Sequence, residues 1–260
     1  MFLSLLCTSF NGCYVLAKEI WLVRHPSYAV ASSLYEQTSE PDLRMHVSRT
    51  GLKQAGLLFE HLLEKFRGYT PDTRISILTS PYRRARSLAG GIHAVLRGSR
   101  LTLSPSVREL SSLGEVKFGD TPAKYKELME NQKTSSIKVY DDYVQTHPSA
   151  IVPHLEQKRT EMLQTLDALK TDDSDVMLLI THRLSIATLL WHLANVSQGG
   201  KARRINKSNF KELFREIAPK LAHTSITRLK IDEKGKLTLL GAYDLPHLTD
   251  EKLITGVPKR

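Results

Sequence analysis

"EIWLVRHPSYAV" (Glu19–Val30) begins as an apolar run and stops at Arg24-His25-Pro26. Ile20–Val23 has the composition of a short buried strand. Ending such a strand on a guanidinium and an imidazole fixes a cation and a titratable nitrogen side by side. The arrangement recurs twice. The apolar run Ile75–Leu78 leads to Ser80-Pro81 and then Arg83, Arg84 and Arg86, and Val176–Ile180 leads to Thr181-His182-Arg183. Helical patterns follow all three runs: "SRTGLKQAGLLFEHLLEKF" after a longer loop, and "SPYRRARSLAGGIHAVL" and "THRLSIATLLWHLANV" directly. Strand, polar turn and helix in alternation predict an α/β domain built on a parallel sheet. The carboxyl ends of its strands then line the ligand crevice. Two histidines, His25 and His182, and at least two arginines converge there.

Those residue types suit a phosphate. The planar fork of arginine donates paired, charge-assisted hydrogen bonds to phosphate oxygens. Backbone N–H groups at the helix starts add a partial positive charge. Singly, each feature is ordinary, since a histidine at a strand end often serves structure and "SPYRRAR" reads equally as a solvated helix start. Asp173 and Asp175 resemble an aspartyl-phosphate motif, but they precede their strand and so belong to the wrong end of the sheet. No H-E-x-x-H, Walker or dinucleotide-binding pattern occurs.

The 260-residue chain suits one large domain or two small ones, and its net charge of +10 favours an anionic partner. Its densest basic cluster, Lys201 to Lys220, reads as an amphipathic solvated helix, and nucleic acid is not the expected partner. Cys7 and Cys13 are too few for a disulfide framework or a cysteine zinc site, and neither has an arginine six positions on. Residues 1–17 read as an N-terminal extension or a weak secretory signal lacking a basic n-region. No apolar run is long enough to span a bilayer, so a cytoplasmic protein is expected. The main domain is expected over 18–260, with a helical insertion around 121–170. A hairpin is expected from "TSITRLKID", "EKGK" and "LTLLGAYD".

Taken together, the motifs resemble the histidine phosphatase superfamily, the phosphoglycerate-mutase-like enzymes. "WLVRHP" is similar to the family's strand-Arg-His-Gly signature, and "VSRTGLKQAGLLFEHL" to its Leu-Thr-x-x-Gly-x-x-Gln-Ala helix. "LTSPYRRARSLA" resembles the Ser-Pro-Leu-x-Arg-Ala segment, "VRELSSLGE" the Leu-x-Glu acid motif, and "LLITHRLSIATLL" the Ser-His-Gly segment. The motifs run in family order from about Lys18 to Leu248.

The resemblance implies a three-layer α/β sandwich, a mostly parallel sheet flanked by helices. It also implies a phosphomonoesterase that works through a phosphohistidine and needs neither metal nor cofactor. His25 would be the nucleophile. Arg24, Arg84 and His182 would hold the phosphoryl oxygens of an anionic phosphorylated substrate. Arg84, not Arg83, matches the family arginine because Ala85 follows it. Glu109 would be the general acid.

The pattern departs from the family in four places. Pro26 stands for the glycine after the nucleophile and removes a backbone donor. Arg183 stands for the glycine after the second histidine. Ala31 occupies the place of a phosphate-binding asparagine, with Ser32 and Ser33 beside it. Finally, one extra residue separates Glu109 from Gly114, which makes Glu115 a rival acid. With these departures, a phosphate-recognition or protein-interaction module is the alternative to an enzyme.

Overall fold

The computed structural model describes residues 18–30, 45–116, 146–197 and 204–255. The expected extension at 1–17 and the positions Ala31, Ser32 and Ser33 lie outside these residues. So does the whole first half of the expected insertion, 121–145.

Among the described residues, a seven-stranded sheet forms the middle layer. It comprises β1 (Lys18–Arg24), β4 (Arg74–Thr79), β5 (Thr102–Leu103), β6 (Arg108–Glu109), β7 (Val176–Thr181), β8 (Ile226–Ile231) and β9 (Leu237–Asp244). The order is β5-β4-β7-β1-β8-β9, with β6 also on β4. β1, β4, β5, β6 and β7 run parallel, and β8 and β9 complete the sheet antiparallel. A separate ribbon pairs β2 (Tyr28–Val30) with β3 (Met45–Val47).

Strand periodicity assigns each face to a layer. Trp21, Val23, Val176, Leu178 and Ile180 meet α1 (Arg49–Phe66) and α2 (Arg83–Leu96) on one side. Ile20, Leu22, Met177 and Leu179 meet α3 (Pro148–Ala168), α4 (Arg183–Ser197) and the helical segment 210–220 on the other. β1 and β7 are therefore apolar throughout, as strands buried on both faces must be. The three-layer sandwich expected from the sequence is the observed architecture.

Three local devices position the crevice. Ser48 caps α1 by accepting from the Gly51 N–H at 3.0 Å. Gly51 is required because a Cβ there would lie 2.0 Å from the Ser27 carbonyl oxygen, in the loop that follows His25. One turn on, fully buried Gln54 accepts from the Ser27 N–H at 2.8 Å and donates to the Leu253 carbonyl and the Thr255 hydroxyl. The helix thus ties the loop that follows His25 to the C-terminal segment.

The helix α3 lies within the region read as an insertion and packs on α4, with Ile151, Leu155, Met162 and Leu166 in the core. In segment 210–220, Phe210, Leu213, Phe214 and Ile217 are buried while Lys211, Glu212, Arg215 and Glu216 face solvent. Its basic residues form the outer face of an amphipathic element. No helix among the described residues is long and apolar enough to cross a membrane.

Candidate active site

The parallel register brings the three reactive strand ends together. Arg24 pairs with Thr181, and Thr79 with Ile180. The ladder continues one residue further: His25 N–H donates to the Thr181 carbonyl at 3.0 Å, and Ser80 N–H to the Ile180 carbonyl at 2.9 Å. His25, Ser80 and His182 therefore emerge side by side. Arg84 enters from the first turn of α2, and α4 begins at Arg183, immediately after His182.

The ring of His25 is buried, and its hydrogen bonds define the tautomer. Nδ1 lies 2.8 Å from the Pro26 carbonyl oxygen, which can only accept, so Nδ1 carries the proton. Nε2 is left with a lone pair facing the crevice, where it accepts from Arg84 Nε at 3.2 Å. Pro26 lacks an N–H, yet its carbonyl still orients the ring. Arg84 Nη2 lies 3.1 Å from His182 Nδ1. A guanidinium only donates, so His182 carries its proton on Nε2 and gives it to the Ser80 hydroxyl oxygen at 2.8 Å. Burial, reinforced by the Arg84 charge, holds both imidazoles well below the ordinary histidine pKa. Both are neutral at pH 7.

A third histidine joins them. β8 runs antiparallel to β1, so the residues before its start lie at the same edge as the end of β1. Arg24 N–H donates to the Ser225 carbonyl, and Thr224 N–H to the Arg24 carbonyl. Thr224 adopts a positive φ of 60° at this reversal, a conformation a β-branched residue seldom takes. Its hydroxyl donates to the His223 carbonyl at 2.6 Å. The Arg24 guanidinium donates to the Leu221 carbonyl, and lies 3.2 Å from His223 Nε2. His223 Nδ1–H then donates to the Thr255 hydroxyl at 3.0 Å. Sequence reading did not single out His223, Tyr28 or Tyr82. The only signal for His223 was its place just before the predicted hairpin.

Positive charge dominates the crevice. Burial, followed by the neighbouring Arg183, pulls the Arg24 pKa down to about 9. Burial holds the His223 pKa well below the ordinary histidine value, helped by Arg24 and by Arg183, itself buried at the start of α4.

The two candidate acids occupy different environments. Glu109 is at the end of the short β6, its side chain 49% exposed and 3.6 Å from Arg86. Glu115 is 24% exposed, with Oε2 at 3.6 Å from His182 Nδ1. A 3₁₀ turn at Ser111–Leu113 carries the chain back to the strand ends. There Thr181 donates to the Leu113 carbonyl at 2.6 Å, and Ser185 to the Gly114 carbonyl at 2.8 Å. The geometry thus brings Arg24, His25, Arg84 and His182 together with Glu115, and leaves Glu109 beside Arg86.

Ligand atoms of His25, Glu115 and His182 lie within 4.8 Å of one another, close enough to hold a cation. However, both imidazole lone pairs in that cluster already accept from the single Arg84 guanidinium. A metal would have to displace a fixed positive charge. The donor set fits an anion better.

The family model of the histidine phosphatase superfamily, branch 1, matches residues 20–240. The chain belongs to that superfamily. Among solved structures it is similar to phosphoglycerate mutase from Bacillus anthracis, at 16% identity and a TM-score of 0.54, covering 91% of this chain and 97% of that one. It is also similar to phosphoserine phosphatase from Entamoeba histolytica in complex with 3-phosphoglyceric acid, at 16% identity and a TM-score of 0.51, covering 89% and 99%. A protein described as mycobacterial hydrolase 2 matches at 16% identity with a TM-score of 0.53, covering 91% and 95%. At these identities the likeness establishes the phosphoglycerate-mutase-like fold. Comparison with curated protein sequences yields no match.

Proposed function

We propose that the protein is a metal-independent phosphomonoesterase acting through a phosphohistidine on His25. The observation that carries this reading is the His25 ring itself: neutral, proton fixed on Nδ1, lone pair on Nε2 facing a crevice of guanidiniums and accepting from Arg84.

In the first half-reaction, Nε2 attacks phosphorus in line. The P–N bond forms as the bond to the leaving oxygen breaks, and Glu115 gives that oxygen its proton. In the second, Glu115 takes a proton from water. The resulting hydroxide displaces His25 from phosphorus, leaving inorganic phosphate and a neutral ring. Arg24 and Arg84 stabilise the charge on the equatorial oxygens. A bound dianion counters the field that keeps His182 neutral, so His182 can take a proton at Nδ1 and donate it to a phosphoryl oxygen. Glu115, not Glu109, is our acid, because its carboxylate borders the two histidines.

The Arg84 N–H resting on the His25 lone pair supports one other reading, a site that binds phosphate without turning it over. Hydrolysis of an aryl phosphate by the purified protein in excess EDTA separates the two. We expect turnover that chelation leaves unchanged, that vanadate inhibits competitively, and that His25→Ala abolishes. Loss of activity in EDTA with recovery on adding a divalent ion would refute the metal-free mechanism. Phosphate binding without any turnover would establish the recognition module.

A further inference from the structure

Arg84 is gripped by more than the ring nitrogens it faces. Its guanidinium carbon lies 5.2 Å from the ring centroid of Tyr28 and 5.0 Å from that of Tyr82. The two rings come from different elements: Tyr28 opens β2 just after Pro26-Ser27, and Tyr82 is the residue before α2. Each also touches the histidine that Arg84 serves on its side. Tyr28 lies 5.5 Å from the His25 ring, and Tyr82 meets His182 edge-on at 5.1 Å.

A guanidinium is flat and weakly hydrated, so aromatic rings within about 6 Å hold it by cation–π attraction. That attraction strengthens where water is excluded, and Arg84 is buried. The side chain is long, and the loss of a single hydrogen bond would leave it many rotamers. Fixing both of its donor nitrogens therefore needs contacts other than the two imidazoles, because a phosphoryl group must draw those donors away from the rings.

We propose that Tyr28 and Tyr82 are positioning residues that form an aromatic clamp on Arg84, holding its guanidinium against His25 and His182 when the crevice is empty and keeping it in place when its N–H groups turn to a phosphoryl group. The clamp rests on the function proposed above, but its test does not require turnover. Leucine and phenylalanine are substituted at Tyr28 and at Tyr82. The affinity for inorganic phosphate is measured by calorimetry, and the His25 titration by NMR.

Each Tyr→Leu change is expected to weaken phosphate binding about 2- to 30-fold. It should also raise the His25 pKa, because the Arg84 charge that holds it down is no longer fixed. Tyr→Phe should restore both. Where a leucine variant fails to fold, methionine replaces it, filling space without a ring face. Folded Leu or Met variants with unchanged affinity and titration would overturn the clamp. So would Phe variants as impaired as Leu, which would assign the effect to the hydroxyls. The expected binding and titration changes in the variants, with a wild-type protein that hydrolyses no phosphomonoester, would refute the phosphatase reading and leave the clamp standing.

Discussion

The proposed phosphohistidine sets two requirements at Nε2 of His25: the lone pair must face phosphorus, and the ring must stay neutral at working pH. Pro26 meets the first through its carbonyl, and burial with the Arg84 charge meets the second. In the proposed reaction the leaving group needs a proton, which Glu115 would supply. A poor alkoxide leaving group needs that proton far more than an aryl oxide does. Glu115→Gln should therefore slow transfer of the phosphoryl group from an alkyl phosphate to His25 by about 10²–10⁴-fold and from an aryl phosphate much less, while loss of water activation slows phosphate release after both. Glu109→Gln should leave both near wild type, since its carboxylate is half exposed beside Arg86. Pre-steady-state rates of alcohol release from paired alkyl and aryl substrates check this, and exchanged phenotypes would return the role to Glu109. The sequence pointed to Glu109 by its motif position and marked the extra residue before Gly114. It could not show that a 3₁₀ turn, held by Thr181 and Ser185, delivers the next carboxylate to the histidines.

Elements made by local pattern were legible; contacts between distant elements were not. Expected strands at Ile20–Val23, Ile75–Leu78 and Val176–Ile180 appear as Lys18–Arg24, Arg74–Thr79 and Val176–Thr181, because apolar runs mark strands buried on both faces. Their reactive ends were legible for the same reason. His223 was hidden because it reaches the crevice from the start of an antiparallel strand, a neighbour relation that no local pattern encodes. Tyr28 and Tyr82 were hidden because aromatic residues read first as core.

The motif glycine of α1 gains a physical role at this scale. A Cβ at Gly51 would meet the Ser27 carbonyl at 2.0 Å, whereas one at Gly56 in the same helix meets nothing within 4 Å. Gly51→Ala should cost about 1–3 kcal/mol of stability and reduce activity by displacing the His25 loop. Gly56→Ala should stabilise by about 0.4–1 kcal/mol. Denaturant melts of both variants check this, and equal tolerance of the two changes would contradict the packing role of Gly51.

For the whole molecule, the net charge of +10 has a local focus. Arg24, Arg84 and Arg183 are buried around His25, His182 and His223, and burial and like charge together oppose the Arg24 charge, pulling its pKa down to about 9. A dianionic phosphoryl group relieves that opposition, and the clustered field raises its local concentration. The sheet makes the concentration of charge possible. Parallel β4, β7 and β1 end at one edge, and antiparallel β8 adds its beginning to the same edge. The account stands on transfer of the phosphoryl group to His25. The most direct measurement mixes Glu115→Gln protein with a labelled aryl phosphate, quenches in alkali, which preserves a P–N bond, and maps the labelled peptide. Transfer to His25 should give a burst of aryl alcohol matched by phosphoryl on His25, and none in the same protein carrying His25→Ala. Turnover without a phosphorylated protein, or label on any other residue, would contradict it.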